Sequence, residues 1–174
     1  MVFEFTPINL LILILLYVVP LYIANSAPVI IHGRTPLDLN KKLFSKPIFG
    51  KGKTIIGFLA GITAGTLVGA IITIAFPYVL TIVPNYLELA FFLSFGALIG
   101  DLVKSFAKRR FGIKRGEKWI FMDQLDFIVG GLLFSLIVRF PEPWVLFVLF
   151  VATFFVHLVT NWGAFKLGLK KVPW

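Results

Sequence analysis

Apolar residues in this chain fall in long blocks divided by short polar gaps, with neither the strict alternation of a half-buried strand nor the narrow apolar stripe of a soluble helix. Five blocks stand out: residues 7–24, 54–80, 87–102, 119–138 and 144–160. A hydrocarbon core of about 30 Å asks for about 20 predominantly apolar residues per helix, so each block reads as one crossing. The pattern predicts an all-α integral membrane protein with five transmembrane helices, residues 1–174 forming a single membrane domain. The first block does not read as a cleaved signal, because the flank before it carries Glu4 and no Lys or Arg.

Composition removes the soluble alternative. Of 174 residues, 59% are hydrophobic and 14% charged, with 20 Phe and 4 Trp, more apolar surface than a domain of this size can hide from water. With no cysteine, disulfides, thiolate metal sites and cysteine nucleophiles are excluded. The net charge of +9 is distributed unevenly: six Lys or Arg lie in 27–53, seven in 103–118 and three after 160, while Arg139 stands alone between the last two blocks. With five crossings, sixteen of the seventeen basic residues share one side. The positive-inside rule then puts the N-terminus outside and two long basic loops, 27–53 and 103–118, in the cytoplasm with the tail 161–174.

Gly57, Gly61, Gly65 and Gly69 recur every fourth residue in the second block, and Gly96 and Gly100 repeat the spacing in the third. Such a face lets another backbone come close. It reads either as packing within the chain or as the seam of a homodimer.

Carboxylates in apolar blocks are costly and need a reason. Asp101 lies one turn from the inner end of the third block. Asp123 and Asp126 share a helical face at the start of the fourth. All three fall at one depth, beside thirteen basic loop residues. Converging carboxylates suit a hard divalent cation such as Mg²⁺, and the basic groups suit phosphate; the same acids also read as structural ion pairs with Lys104, Lys108 or Arg109. An acidic path in a small ion or solute transporter is the reading from another class, although neither repeat symmetry nor a polar stripe through the full depth accompanies it.

The loop from Lys46 to Thr54 opens the second block, where helix N-terminal N–H groups make an anion cradle. Gly52-Lys53-Thr54 imitates a nucleotide-binding P-loop, but Pro47 stands where its first glycine belongs. In the third block Asp101, Ser105 and Lys108 or Arg109 share a face that continues into the cytoplasm. Nucleic acid is not expected, since no binding module accompanies the charge. His157 and Asn161, four apart at the inner end of the fifth block, read as a further pair that could reach the site.

Taken together, Asn25-Ser-Ala-Pro28, Arg34-Thr-Pro-Leu-Asp38, Phe49-Gly-Lys-Gly-Lys-Thr54, Gly100-Asp101-Leu-Val-Lys-Ser105-Phe-Ala-Lys108-Arg109, Lys114-Arg115-Gly116, Asp123-Gln-Leu-Asp126 and the tail ending Lys-Lys-Val-Pro-Trp174 resemble archaeal CDP-archaeol synthases. The resemblance runs nearly the whole chain. It implies a five-span cell-membrane enzyme that joins CTP to an ether-lipid phosphate, 2,3-bis-O-geranylgeranylglycerol 1-phosphate, and releases pyrophosphate on the cytoplasmic side. It further implies Mg²⁺ held by Asp101, Asp123 and Asp126; triphosphate or departing pyrophosphate held by Lys53, Lys108, Arg109 and Arg115; Thr54 and Ser105 among the nucleotide-binding groups; and Asn25 and Asp38 in nucleotide-binding or structural roles. CTP, the lipid phosphate and membrane lipids are the implied partners. Ser105, Lys108 and Arg109 match the Ser-x-x-Lys-Arg part of the related CDP-diacylglycerol synthase signature. Gln124 replaces the arginine of its Asp-Arg-x-Asp part, and the bacterial His-Gly-Gly is missing, which favours the archaeal branch over a diacyl substrate.

Overall fold

A computed structural model describes residues 6–114, 117, 119 and 122–166, apart from the side chains at 157, 158, 160, 161 and 164. Its order is α1 (Pro7–Ile30), β1 (Lys42–Leu43), β2 (Lys46–Pro47), α2 (Ile55–Ala75), α3 (Val79–Ile82), α4 (Tyr86–Arg110), α5 (Met122–Ser135) and α6 (Pro143–Lys166). Among the described residues, three helices, α1, α2 and α4, are long and apolar enough to cross a membrane.

Helix α1 starts where its sequence says it should. The Thr6 hydroxyl accepts from the Asn9 N–H at 3.2 Å, and Pro7 supplies a preset φ in the first turn. Two further prolines, Pro20 and Pro28, lie inside it. Pro28 has no N–H to offer the Ala24 carbonyl. That carbonyl faces Gly61 of α2, where a Cβ would come within 2.7 Å of the oxygen and 2.6 Å of a Leu98 methyl. In α2 the buried residues are Gly57, Gly61, Gly65 and Gly69. The glycine face is therefore consumed between α1 and α4 within one chain, and lipid is left to cover the rest of the helix. Of the two readings of this stripe, packing within the chain is the one the structure adopts.

At the centre stands α4. Tyr86, Leu89, Leu93 and Ala97 are fully buried in one core with Leu13, Leu16, Tyr17 and Leu21 of α1, Phe127 and Ile128 of α5, and Val145 and Leu149 of α6. A second glycine contact joins α4 to α5. A Cβ on Gly100 would collide with the Asp126 carbonyl oxygen, and one on Gly130 with the backbone of Gly96 and Gly100. Small residues thus set how near the acidic turn of α5 comes to α4.

The helices depart from the expected spans at their ends. The block 54–80 is interrupted after Ala75, and the chain resumes in the short α3 beyond Pro77. Rather than stopping near residue 102, α4 continues to Arg110; Lys108, Arg109 and Arg110 fill its last turn, where cations suit the helix dipole. At its far end α5 stops at Ser135 rather than 138, while at its near end the described helix begins at Met122 and the Asp123 N–H bonds back to the Trp119 carbonyl at 3.0 Å. Turn bonds from Ile137, Val138 and Arg139 back to Phe134 and Ser135 end it. The loop 27–53 is also less irregular than expected: α1 occupies its first residues, and β1 pairs antiparallel with β2 across Phe44 and Ser45, both at positive φ, the backbone signature of a tight primed turn.

Candidate active site

Three segments meet at one end of the bundle: the loop from residue 31 to Thr54, the last turns of α4 and the first turn of α5. The loop is fastened by its own polar groups. Asp38 is buried, and its carboxylate accepts N–H bonds from Asn40 at 3.0 Å and from Phe49 and Gly50 at 2.9 Å. Burial pushes that carboxyl upward, but the backbone donors of Gly50, Phe49 and Asn40 outweigh it and hold the pKa below the usual carboxylate value. Thr54 caps α2: its hydroxyl oxygen accepts from Gly57 N–H at 3.1 Å and Gly33 N–H at 3.2 Å. Arg110 clamps the hairpin through the Leu43 and Lys46 carbonyls. Of the residues expected to bind nucleotide, Asp38 and Thr54 thus spend their oxygens on organising the loop.

On α4, Asp101, Lys104, Ser105 and Lys108 recur at helical spacing and project toward α5 and the loop. The Lys104 ammonium lies 3.3 Å from an Asp101 oxygen, 3.5 Å from Asp123 and 2.8 Å from Asp126. Asp101 also pairs with Lys53. Lys108 is buried and donates to both Asp123 oxygens at 2.7 and 2.8 Å and to the Glu117 carbonyl at 2.7 Å. Asp123 in turn accepts from the Trp119 N–H at 2.8 Å, so its carboxylate also holds the start of α5. The Asp126 side chain is 6% exposed. Its Oδ2, although ion-paired with Lys104, receives no hydrogen bond of acceptable geometry. Ser105 donates to the Asp101 carbonyl at 2.8 Å, and Arg109 to the Ile113 carbonyl at 2.8 Å. The three acids do come together, and what they share is an ammonium. Among the described residues, no three carboxylate or imidazole groups stand at metal-binding spacing.

Three hollows border this cluster. The first, of about 690 Å³, is lined by Lys104 and six further basic side chains, together with Ser105, Gly50, Gly52 and a carboxylate, Asp123. The second, of about 480 Å³, lies on the other side of Lys51, Gly52 and Lys53; Asn25, His32, Thr54 and Asp101 complete its polar wall. Nothing within the described residues bonds the Asn25 side-chain amide. The third, of about 370 Å³, is an apolar groove between α4 and α5, lined by Val103, Trp119, Leu125, Val129, Leu133 and Phe134 among others; its charged groups among the described residues are Lys104 and Asp126. Lys104 therefore belongs to both the basic cavity and the apolar groove.

Asp101, Asp123, Asp126, Lys53, Ser105, Lys108 and Arg109 are gathered as the sequence predicts. Asn25 is not with them but in the second cavity. Arg115 lies outside the described residues, as do the side chains of His157 and Asn161. Lys104, read from the sequence as the first residue of a basic loop or as an ion-pair partner, is the hub; its positions three after Asp101 and four before Lys108 are the signal that marks it.

Comparison with known proteins agrees in one direction. A family described as CarS-like, CDP-archaeol synthase, matches residues 7–174. The CDP-archaeol synthase of Pyrococcus abyssi is 43% identical over 91% of this chain and 95% of its own length. That of Methanospirillum hungatei is 41% identical, covering 89% and 99%, and that of Methanocaldococcus jannaschii 42%, covering 91% and 94%. A solved structure of an intramembrane enzyme for archaeal membrane lipid biosynthesis superposes with a TM-score of 0.76 at 36% identity, covering 84% of this chain and 91% of that one.

Proposed function

This chain belongs to the CDP-archaeol synthase family, and from that premise we infer that it condenses CTP with 2,3-bis-O-geranylgeranylglycerol 1-phosphate to give unsaturated CDP-archaeol and pyrophosphate. A small transporter is not favoured, because the relatives are synthases. The observation that carries the reading is Lys104, which lines both a basic cavity and an apolar groove and pairs with Asp123 on the cavity side and Asp126 on the groove side.

In the reaction a lipid-phosphate oxygen attacks the α-phosphorus of CTP, a new P–O bond forms, and the bond to the β-phosphate breaks. The lipid phosphate is already ionised at neutral pH, so no general base is needed. Positioning and charge neutralisation are the protein's task. We assign the triphosphate to the basic cavity, where Lys53, Lys108 and Arg109 bind it and stabilise departing pyrophosphate, with Ser105 in the same wall. Arg115 joins this set from the resemblance alone. The nucleoside end is assigned to the second cavity. There the Asn25 amide, with one acceptor and two donors, complements the amino and ring-nitrogen edge of cytosine. The isoprenoid chains lie along the α4–α5 groove with the phosphate at its charged end.

Mg²⁺ fits the chemistry of this donor set, whose carboxylates now close on the Lys104 ammonium and would draw together to reach metal-binding spacing. Hard oxygen ligands suit the ion, and the three carboxylates already share a cationic group. Asp101, Asp123 and Asp126 would hold the ion, which would supply charge neutralisation for the phosphates. The basic loops support a cytoplasmic site in a five-span cell-membrane protein with the N-terminus outside.

The test is pyrophosphate release by purified protein, with each of four nucleotides and with ether- or ester-linked lipid phosphates. Asp126→Asn should lower turnover by about 10²-fold or more, as loss of one group that stabilises transition-state charge does elsewhere, while insertion and extraction stay normal. Turnover close to wild type in that variant would remove Asp126 from the site.

A further inference from the structure

Lys104 sits where a cation is wanted. Its ammonium is within 3.5 Å of an oxygen from each of three aspartates, and its side chain is 15% exposed. Without a positive charge at that point, three carboxylates in a half-buried wall would repel one another. With a divalent cation there as well, the ammonium and the ion would compete for the same oxygens. Both cannot stay.

We propose that Lys104 is a resident counter-ion: it holds the three carboxylates together in the ligand-free enzyme, yields to the cation, and then turns into the α4–α5 groove to meet the lipid phosphate. This rests on the metal reading given above. The direction of the turn follows from what each side already holds. The basic cavity carries six other cationic side chains, whereas among the described residues Lys104 is the basic side chain of the groove and Asp126 its acid. A phosphate arriving along apolar walls would otherwise face Asp126 unaided. A lysine can make the move, because its ammonium is a compact point charge on a flexible four-carbon stem, unlike the fixed fork of arginine. The residue would then couple the two arrivals: the cation frees the charge that receives the lipid.

The test uses full-length protein in detergent, with Mg²⁺ alone as the probe and thermal stabilisation as the first readout. Removing the competitor should lower the half-saturating Mg²⁺ concentration by about tenfold in Lys104→Met, equivalent to about 1.4 kcal/mol. Lys104→Gln keeps two N–H donors for the carboxylates without the charge. It should shift the same way and serves should the Met variant fail to fold. In saturating Mg²⁺, Lys104→Gln should raise KM for the lipid phosphate about tenfold while KM for CTP stays within about twofold. A neutral variant needing as much Mg²⁺ as wild type, or more, overturns the place-holding role while leaving the metal reading intact. A lipid KM that does not move, or a CTP KM that rises with it, overturns the transfer to the groove. If wild type shows no response to Mg²⁺ at all, the metal reading fails and this proposal with it.

Discussion

Which side chains are free to meet a substrate is decided by what they already bond. Asp38 and Thr54 looked like anion-site residues from their neighbours in sequence, yet Asp38 is saturated by three backbone N–H groups and Thr54 accepts two. Asn25 is the reverse case: it lies in the last turns of α1 against a polar cavity, and nothing within the described residues bonds its amide. Spacing cannot distinguish these cases, because an oxygen's partner comes from residues far along the chain. Discrimination between CTP and UTP is where Asn25 should register. Asn25→Ala should reduce the ratio of kcat/KM for CTP over UTP about tenfold, near the upper end of one hydrogen bond's net worth, with KM for the lipid phosphate unchanged. An unaltered ratio would place the base elsewhere.

The glycine repeats of α2 and α4 were the most legible elements, since a four-residue period has one geometric meaning, a close helix contact. Span ends were less legible. Hydropathy counts apolar residues but does not sense Pro77 breaking the second block, nor α4 carrying Asp101, Lys104 and Lys108 on one continuous face past the apolar stretch. For the same reason Lys104 read as loop: charge marked the end of a span where the helix in fact continues. The hairpin across Phe44 and Ser45 had no turn signal, because those residues rarely take the positive φ that they have here. The α4–α5 contact makes a sharp prediction. In Gly100→Ala the new methyl would collide with the Asp126 backbone oxygen, forcing the acidic turn away from Asp101. Turnover should fall by about 10²-fold, the scale expected for a displacement of about 1 Å at a reacting centre, and KM for CTP should change little. Gly163→Ala, where a Cβ meets nothing within 4 Å, is the control. Normal turnover in Gly100→Ala would mean that the helix spacing does not set the site.

At the scale of the whole molecule, the site needs three surroundings at once: water for a nucleotide, lipid for isoprenoid chains, and a wall where their phosphates meet. The bundle supplies this only if the basic loop and the inner ends of α4 and α5 lie on one face of the membrane, with the α3–α4 and α5–α6 connections on the other. The charge distribution argues for that arrangement, since sixteen of seventeen basic residues fall on one side when the chain crosses five times. A chain without cysteine allows a direct measurement, because any thiol introduced is the sole target of a maleimide. Phe44 and Phe140 are 84% and 71% exposed, so a cysteine at either is reachable from its own side. In intact cells an impermeant maleimide should label Phe140→Cys and leave Phe44→Cys unlabelled until the membrane is opened. If both were labelled from outside, Arg139 would share a face with the basic loop, the crossings between them would be even in number, and the cytoplasmic placement of the nucleotide cavity would have to be abandoned.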